Sequence, residues 1–515
     1  MLARSVDDDA DVSLRHRARV RLRHGASDTS ASPRQPNSNE TESRVGCVLE
    51  DVSLAPARRP NTALVVTDET ERGGGPGQLA LVTIFFVGLW ITLLFWWTAS
   101  GAIPVHTSAD RFNTIGRLTG LIGTYLLLWQ LLLLARFPWL ERAFGMERLI
   151  WLHRWNAYLA VTLIGVHVVT QTIGYALDQK DTILGQLGDF IAHYEGVLPA
   201  IAATGLLVVV TVLSIGVARA RMSYQTWYFI HLYSYLAIAL AFAHQILTGA
   251  DFIENTLFTV YWWLLYALVI AAIATHRIVR PIVGSLRHGF HVARVEREAS
   301  GSVSIYIGGN DLDEFHFEPG QFAIWRFLDA RRWWEAHPFS LSATPNGEYL
   351  RFTVKRTGDF GEHAASIRVG TPVLVEGPFG RFTRRSCLRD KALLIAGGIG
   401  ITPIRALAEE LARDKVNVCV LYRCTRDDEV AFRAELASLV KAYGIRVEYL
   451  LSDRSLNGRT GGEWLEAKNL QTLVPDVSKR DIFVCGPLGM TAKVKRSLHQ
   501  IGVLPFQIHT EAFQF

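Results

Sequence analysis

The sequence predicts a multidomain membrane protein: a six-helix transmembrane bundle, then an antiparallel β-barrel, then an α/β domain on a parallel sheet. Three observations carry that prediction. Six apolar runs, near residues 79–98, 115–135, 154–176, 197–217, 226–247 and 256–279, each reach the roughly 20 residues that a helix needs to cross a bilayer. Beyond about residue 285 the texture turns to short, β-branched, partly alternating runs such as FHVARVEREASGSVSIYI, LRFTVKR and TPVLVEGP. From Lys391 the pattern becomes strand, glycine-rich loop and helix, repeated, as in a parallel α/β sheet.

Residues 1–76 are rich in Arg, Asp, Ser, Pro and Gly. They hold too little apolar surface to offset the entropy of ordering, so a disordered tail is expected. Its start lacks the basic-then-apolar arrangement of a signal peptide. The spans fill residues 77–283 and share one charge asymmetry. Arg136, Arg142, Arg148 and Arg154 lie between the second and third spans, Arg219 and Arg221 between the fourth and fifth, and Arg277, Arg280 and Arg287 near or after the end of the sixth. The opposite loops carry Asp178, Asp181, Asp189 and Glu195, then Asp251 and Glu254. Basic loops stay inside, which implies an integral plasma (inner) membrane protein with both termini cytoplasmic. Trp96, Trp97, Trp139 and Trp151 sit near span ends, as interface anchors do.

Five cysteines, Cys47, Cys387, Cys419, Cys424 and Cys485, are irregularly spaced and read as reduced thiols. The absence of C-x-x-C-H excludes c-type haem attachment, and no plant-type ferredoxin spacing is present. The lipid bilayer is the expected partner, with no nucleic acid; protein partners are not legible.

Four histidines lie in the spans as two pairs: His153 and His167, 14 apart, and His231 and His244, 13 apart. An intramembrane imidazole is costly without a partner, which makes each a functional candidate. Spans three and five run in the same direction, setting His153 opposite His231 near the inner surface and His167 opposite His244 near the outer one. At about 1.5 Å per residue the separations are roughly 21 and 20 Å. That suits two haems stacked across a hydrocarbon core of roughly 30 Å. A 14-residue step returns within roughly 40° of the same face, but a 13-residue step misses by roughly 140°. Span five therefore needs local rewinding, a tilt, or haems offset sideways. His106, His193 and His276 lack such a pattern and read as interfacial.

In the soluble half, Asn346-Gly347 between two strand-like runs is a hairpin signal. Lys355, Arg356, Thr357 and Gly358 supply cations and a turn suited to a pyrophosphate. AGGIGITP ends a strand and opens a helix; Gly397, Gly398 and Gly400 let the backbone approach a pyrophosphate at the helix N-terminus. Thr402 suits an N-cap and Pro403 a first helical position. Arg423 and Arg426 follow the second α/β strand, where arginines suit a 2′-phosphate and favour NADPH over NADH.

These motifs, with RFPWLERAFGMERLIWLHRWNAYLAVTLIGVH and its histidines, resemble the ferric reductase and NADPH oxidase superfamily from about residue 80 to the C-terminus. The resemblance implies an FAD-binding β-barrel over 284–386 and an NAD(P)-binding α/β domain over 387–515. It implies two b-type haems whose iron is held by His153, His167, His231 and His244. HPFSLSATP is similar to the flavin signature of ferredoxin–NADP reductases: Ser340 would lie near flavin N5, Pro338 and Phe339 would shape the ring bed, and His337 would reach the ribityl or pyrophosphate. EGPFG (Glu376 to Gly380) accompanies it. VCGPLGM, with Cys485, Gly486 and Pro487, resembles the loop beneath the nicotinamide, with Cys485 near the hydride path. In IHTEAFQF, Glu511 is a site candidate and Phe515 the aromatic that would cover the flavin. Arg117 resembles the arginine beside the outer haem. Gln171 stands where the eukaryotic oxidases carry a histidine. The implied activity passes electrons from cytoplasmic NAD(P)H via FAD and two haems to an external acceptor, a ferric or cupric ion or O2. The alternative is a haem-free, membrane-anchored flavin reductase serving a protein or quinone.

Overall fold

The computed structural model describes residues 76–101, 105–219, 221–222, 224–298, 300–330, 333–452 and 463–513. All but the last residue of the expected tail, with Cys47 and Phe515, lies outside the described residues. Among those described, six helices are long and apolar enough to cross a membrane: Gly77–Ala99, Ser108–Leu133, Arg148–Gln179, Val197–Ser214, Gln225–Thr248 and Thr256–His288. They are numbered spans one to six. Span two starts earlier than its apolar run because Thr107 caps it. The Thr107 hydroxyl accepts the Asp110 N–H at 3.1 Å, and the Asp110 carboxylate accepts the Thr107 N–H at 2.8 Å. This box satisfies otherwise orphaned N–H groups with polar side chains that hydropathy hides. Span six runs through a π-helical turn, Ala274–Val279, to His288 and leads directly into the first strand.

Spans two and three pack along a seam of small residues. A Cβ at Gly120 would stand 2.6 Å from His167 Nδ1, and one at Gly123 2.9 Å from Ile164 Cδ1. A Cβ at Gly116 would collide with Gln171, and one at Gly174 with Asn113. Each step along span two is matched by an equal and opposite step along span three, so the helices are antiparallel with one fixed register. Small residues four apart let helix backbones approach closely in a membrane. A short corner helix, Pro138–Phe144, ends at Gly145 (φ 76°) and joins the two spans.

The barrel is built from β1 (His291–Arg297), β2 (Ser302–Gly308), β3 (Phe322–Phe327), β4 (His337–Ser340), β5 (Leu350–Lys355) and β6 (Val373–Phe379). They form two antiparallel sheets, β1-β2-β5 and β4-β3-β6. The sheets bury Val303, Ile305, Ile307, Trp325, Leu341 and Phe352 between them, with Trp325 stacked on Phe352 at 4.6 Å. Asn346-Gly347 does make a turn, the Asn346 side chain accepting the Glu348 and Tyr349 N–H groups. It sits in a longer loop rather than a two-residue hairpin, since β4 and β5 belong to different sheets joined through a Leu341–Phe352 bridge.

The last domain is a parallel sheet of β7 (Lys391–Gly397), β8 (Asn417–Cys424), β9 (Arg446–Leu451), β10 (Asp481–Pro487) and β11 (Ile508–Phe513), in the order β11-β10-β7-β8-β9. Every pairing is parallel. The chain moves outward from β7 through β8 and β9, then returns to place β10 on its other side. The crevice above the β7 and β10 ends is therefore the topological switch point, where such sheets bind ligands. A buried ion network joins barrel to α/β domain. Arg351 donates to both Glu435 oxygens at 2.7 and 2.9 Å, while Arg405 lies 2.6 Å from Glu435 and 2.7 Å from Glu409.

Candidate functional site

The four intramembrane histidines meet across spans three and five as the spacing predicts. The His153 and His231 rings are 6.1 Å apart between centres, and those of His167 and His244 6.4 Å. Two imidazoles bound to opposite faces of one metal, at about 2.0–2.1 Å per bond, put their ring centres about 6 Å apart. Span five reaches both levels without rewinding, because Tyr224–Thr248 is α-helical throughout. Of the three accommodations considered, that one is excluded.

Hydrogen bonds set the tautomer of every ring. His153 Nδ1 lies 3.2 Å from the Gln130 carbonyl and His167 Nδ1 2.8 Å from the Gly116 carbonyl. A carbonyl only accepts, so both Nδ1 atoms carry the proton. His244 Nδ1 lies 2.8 Å from the Thr248 hydroxyl, whose own proton goes to the His244 carbonyl at 2.7 Å. His231 Nδ1 lies 3.4 Å from the Ser214 hydroxyl, which donates to the Val210 carbonyl at 2.7 Å. Both hydroxyls have spent their single proton and must accept. All four Nε2 atoms are thus lone-pair nitrogens, the form that ligates a metal, with Nδ1–H anchored as such ligands usually are. These residues fit haem iron. Among the described residues no group of three or more His, Cys, Asp or Glu gathers elsewhere as a metal site. Arg117 lies next to Gly116, in the half of span two that faces away from the soluble domains. Gln171 donates to the Asn113 carbonyl at 2.9 Å, inside the glycine seam.

β4 divides its signature between two faces. His337 and Phe339 stack at 5.9 Å and pack on Phe360, and Phe339 also lies parallel to Phe352 at 5.2 Å. Phe339, partly buried, thus also braces the barrel core. Pro338 and Ser340 alternate to the other side. Ser340 is 2% exposed and its hydroxyl has no hydrogen-bond partner. A buried, unsatisfied donor is costly, and a flavin nitrogen would satisfy it. Lys355, Arg356, Thr357 and Gly358 are exposed where β5 passes into the helix Gly358–Ala364.

At the switch point the two glycine loops touch. A Cβ at Gly397 would strike the Met490 sulfur, one at Gly400 the Cys485 carbonyl, and one at Gly486 would meet the Gly397 Cα at 3.2 Å. Gly398 takes φ 54°. The helix begins at Ile401 with Gly400 as N-cap, so Thr402 is not the cap and Pro403 is not its first residue. Thr402 instead turns its hydroxyl back to the Ile399 carbonyl at 3.0 Å, and Pro403 is tolerated because the first turn has spare N–H groups. Cys485 is fully buried, and burial, with Glu511 alongside in register on β11, pushes its thiol well up. It is no thiolate at neutral pH. Arg423 lines a cavity of about 220 Å³ with Leu465, Pro487, Gly489, Met490 and Lys493. Arg426 is engaged elsewhere, paired with Asp428 at 2.9 Å and Glu429 at 3.5 Å. Lys493, which sequence reasoning missed, takes its place beside Arg423.

Sequence reasoning also missed the joint between membrane and barrel. Arg136 pairs with Glu376, and Glu141 accepts the Gly380 N–H at 2.8 Å. Beside it an open cleft of about 600 Å³ is lined by Phe144, Gly145, Arg148 and Trp151 from the membrane corner and Thr510 from β11. Trp151 lies two residues before His153.

Comparison with known proteins gives three family matches in chain order. Residues 119–242 match a ferric reductase like transmembrane component, 290–383 an FAD-binding domain and 394–496 an oxidoreductase NAD-binding domain. A flavohemoprotein of Vibrio cholerae is 29% identical over 250 residues, covering 45% of this chain and 61% of that protein. The ferredoxin reductase component of a 3-ketosteroid-9-alpha-monooxygenase of Mycobacterium tuberculosis is 32% identical over 230 residues, covering 42% and 62%. The chain thus spans about three-fifths of the length of these curated relatives. The solved flavohem-like FAD/NAD-binding domain of a Vibrio cholerae nitric oxide dioxygenase is 27% identical, covers 44% of this chain and 97% of its own, and superposes with a TM-score of 0.38. Six spans, a ferric-reductase-like bundle, an FAD-binding domain and an NAD-binding domain on one chain give it the architecture of the ferric reductase and NADPH oxidase superfamily.

Proposed function

We propose that this chain carries electrons from NADPH through FAD and two b-type haems to a small acceptor, a metal chelate or O2, on the far side of the bilayer. The observation behind this reading is the tautomer set: four Nδ1–H anchors leave four Nε2 lone pairs, facing in two pairs at 6.1 and 6.4 Å. When bound, the nicotinamide gives up a hydride, the flavin takes both electrons, and haem iron accepts them singly.

The chain's own residues bind, orient and exclude water. Gly397, Gly398 and Gly400 open the backbone to a pyrophosphate at the head of the helix Ile401–Arg413. Ser340 offers its hydroxyl to the flavin, while Phe339, Phe352 and Phe360 keep β4 rigid behind it. Arg423 and Lys493 put two cations in one small cavity, which suits the 2′-phosphate of NADPH. His153 and His231 would hold the haem nearer the soluble domains, His167 and His244 the farther one. The arginine-rich loops support a cytoplasmic position for the soluble domains.

The test is spectroscopic first. The purified protein should contain two low-spin, bis-histidine haems per chain, and His167→Ala should lose one of them. If the purified wild type shows no haem absorbance and His167→Ala reduces its acceptor as fast as wild type, the haem-free anchor is the correct reading. Driving the intact protein with NADPH and comparing superoxide with ferrous iron yield then identifies the acceptor.

A further inference from the structure

The joint between membrane corner and barrel is made at one place, the end of β6 and its EGPFG turn. Arg136 pairs with Glu376 and lies 6.0 Å over the Phe379 ring. Glu141, 3% exposed, accepts the Gly380 N–H at 2.8 Å from 239 residues away. Ser285 accepts the Val375 N–H at 3.0 Å, and Arg277 braces the corner by donating to the Leu134 carbonyl at 3.2 and 2.9 Å. Glu376 keeps a second carboxylate oxygen buried with no partner. The membrane domain thus grips a turn of the FAD-binding domain.

We propose that Glu141 is a positioning residue whose protonation seats this turn on the membrane corner, and so sets how well the flavin is coupled to the His153–His231 pair. The proposal rests on the electron-carrying reading above and deepens it.

The direction follows from linkage. In the seated joint, burial pushes the Glu141 carboxyl up to about 7, against the opposing pull of the Gly380 N–H and Arg136. If the joint opens, Glu141 meets water and returns to the ordinary carboxylate range near about 4.3. The seated state binds the proton more tightly, so the proton favours seating. As pH rises from the ordinary carboxylate range to about 7, the seat loosens by up to about ten-fold per unit. Below that window both states are protonated and above it both are ionised, so the dependence levels off.

The charged neighbours of Glu141 have contacts of their own. Arg136 is taken by Glu376, and the aliphatic part of Arg381 rests on Gly145. Gln78 donates to the Ala143 carbonyl at 2.5 Å. Arg148 lies 5.8 Å over Phe144. His276, 4.5 Å from Phe137, is the other side chain here with an ordinary range near neutrality. The reaction itself supplies the proton. Oxidising NADPH to NADP⁺ gives two electrons and one proton; the electrons leave across the membrane and the proton stays on the side of the soluble domains. Turnover therefore shifts the joint towards its seated state.

The test uses the full chain in lipid nanodiscs with NADPH, comparing wild type with Glu141→Gln, a neutral isostere that keeps the shape and the acceptor. Flavin bleaching reports the first step and haem reduction the coupled one. From pH 6 to 8 the wild-type ratio of haem to flavin reduction should fall several-fold, while Glu141→Gln holds its pH 6 value. Amide exchange across β6 and Gly380, corrected for intrinsic rates, should follow the same two profiles. A wild-type slope retained by Glu141→Gln assigns the effect to His276 and overturns the proposal, as does a flat wild-type profile. If NADPH does not bleach the flavin in wild type, it is the electron-carrying reading that fails, and amide exchange still decides on the joint.

Discussion

Gly120 lies against the ring of His167: a methyl group added there would stand 2.6 Å from Nδ1, inside any real contact. The same ring donates to the Gly116 carbonyl at 2.8 Å, one turn along the same helix. Span two thus supplies both the space and the anchor for a histidine on span three.

Gly120→Ala should therefore cost haem at the farther site despite the better helix propensity of alanine. Overpacking of this kind typically costs about 1–3 kcal/mol, enough to displace the ring. A haemochrome assay should give one haem per chain in place of two. Gly165→Ala, where an added Cβ meets nothing within 4 Å, should keep both.

Lys493 is expected to discriminate between the nicotinamides. It shares a cavity with Arg423 and is steadied by Glu466 at 3.0 Å. A hydrogen bond to a charged group contributes about 1.5–3 kcal/mol, and Lys493 is partly exposed, so the lower figure applies. Lys493→Ala should raise the KM for NADPH about ten-fold while leaving that for NADH unchanged. Arg426→Ala, whose guanidinium is already held by Asp428, should change neither.

Cys485 should prove dispensable for chemistry. Its thiol is fully buried and pushed well up by that burial, so little thiolate forms at pH 8. Cys485→Ala should reduce flavin at close to the wild-type rate, and iodoacetamide should leave Cys485 unmodified until the protein is unfolded. Rapid alkylation of the native protein there would refute this.

The ion network between barrel and α/β domain should make stability fall in acid. Burial opposes the charge of Glu435, but the Arg351 fork and Arg405 outweigh it and hold its carboxyl below the usual range. Such a carboxylate stabilises the fold above the unfolded value and loses that contribution as pH falls through the folded one. Glu435→Ala leaves the buried Arg351 guanidinium without its carboxylate, while Arg405 keeps Glu409, so the lower part of the range for a broken buried pair applies, about 3 kcal/mol. Thermal melts at neutral pH should show the loss, and the gap to wild type should narrow below about pH 4.

What the sequence displayed and what it hid divide along physical lines. The histidine pairs were legible because polar residues stand out in apolar runs, and their levels followed from helical rise alone. Their anchors were harder: Gln130 and Gly116 contribute backbone carbonyls, which no residue type announces. The spacing of Gly116 and Gly120 was the available signal. Glu141 and Gly380 meet from 239 residues apart with no local pattern at either end. Arg426 looked like a phosphate ligand from its place after β8, yet Asp428 and Glu429 stood beside it in the sequence and were enough to claim it. Thr402 misled for a different reason. The tight turn through Gly398 lets the helix start on glycine, so no side-chain cap was needed.

The interval of 14 residues between His153 and His167 is written a second time, between Gly116 and Gln130, whose carbonyls hold those two rings. Deleting one residue between the anchors in either helix would swing one end roughly 100° about the axis. Neither length can drift by itself. The vertical distance between the two redox levels is a gauge cut into a pair of helices, and a homologue that changes it in span three has to make the same change in span two.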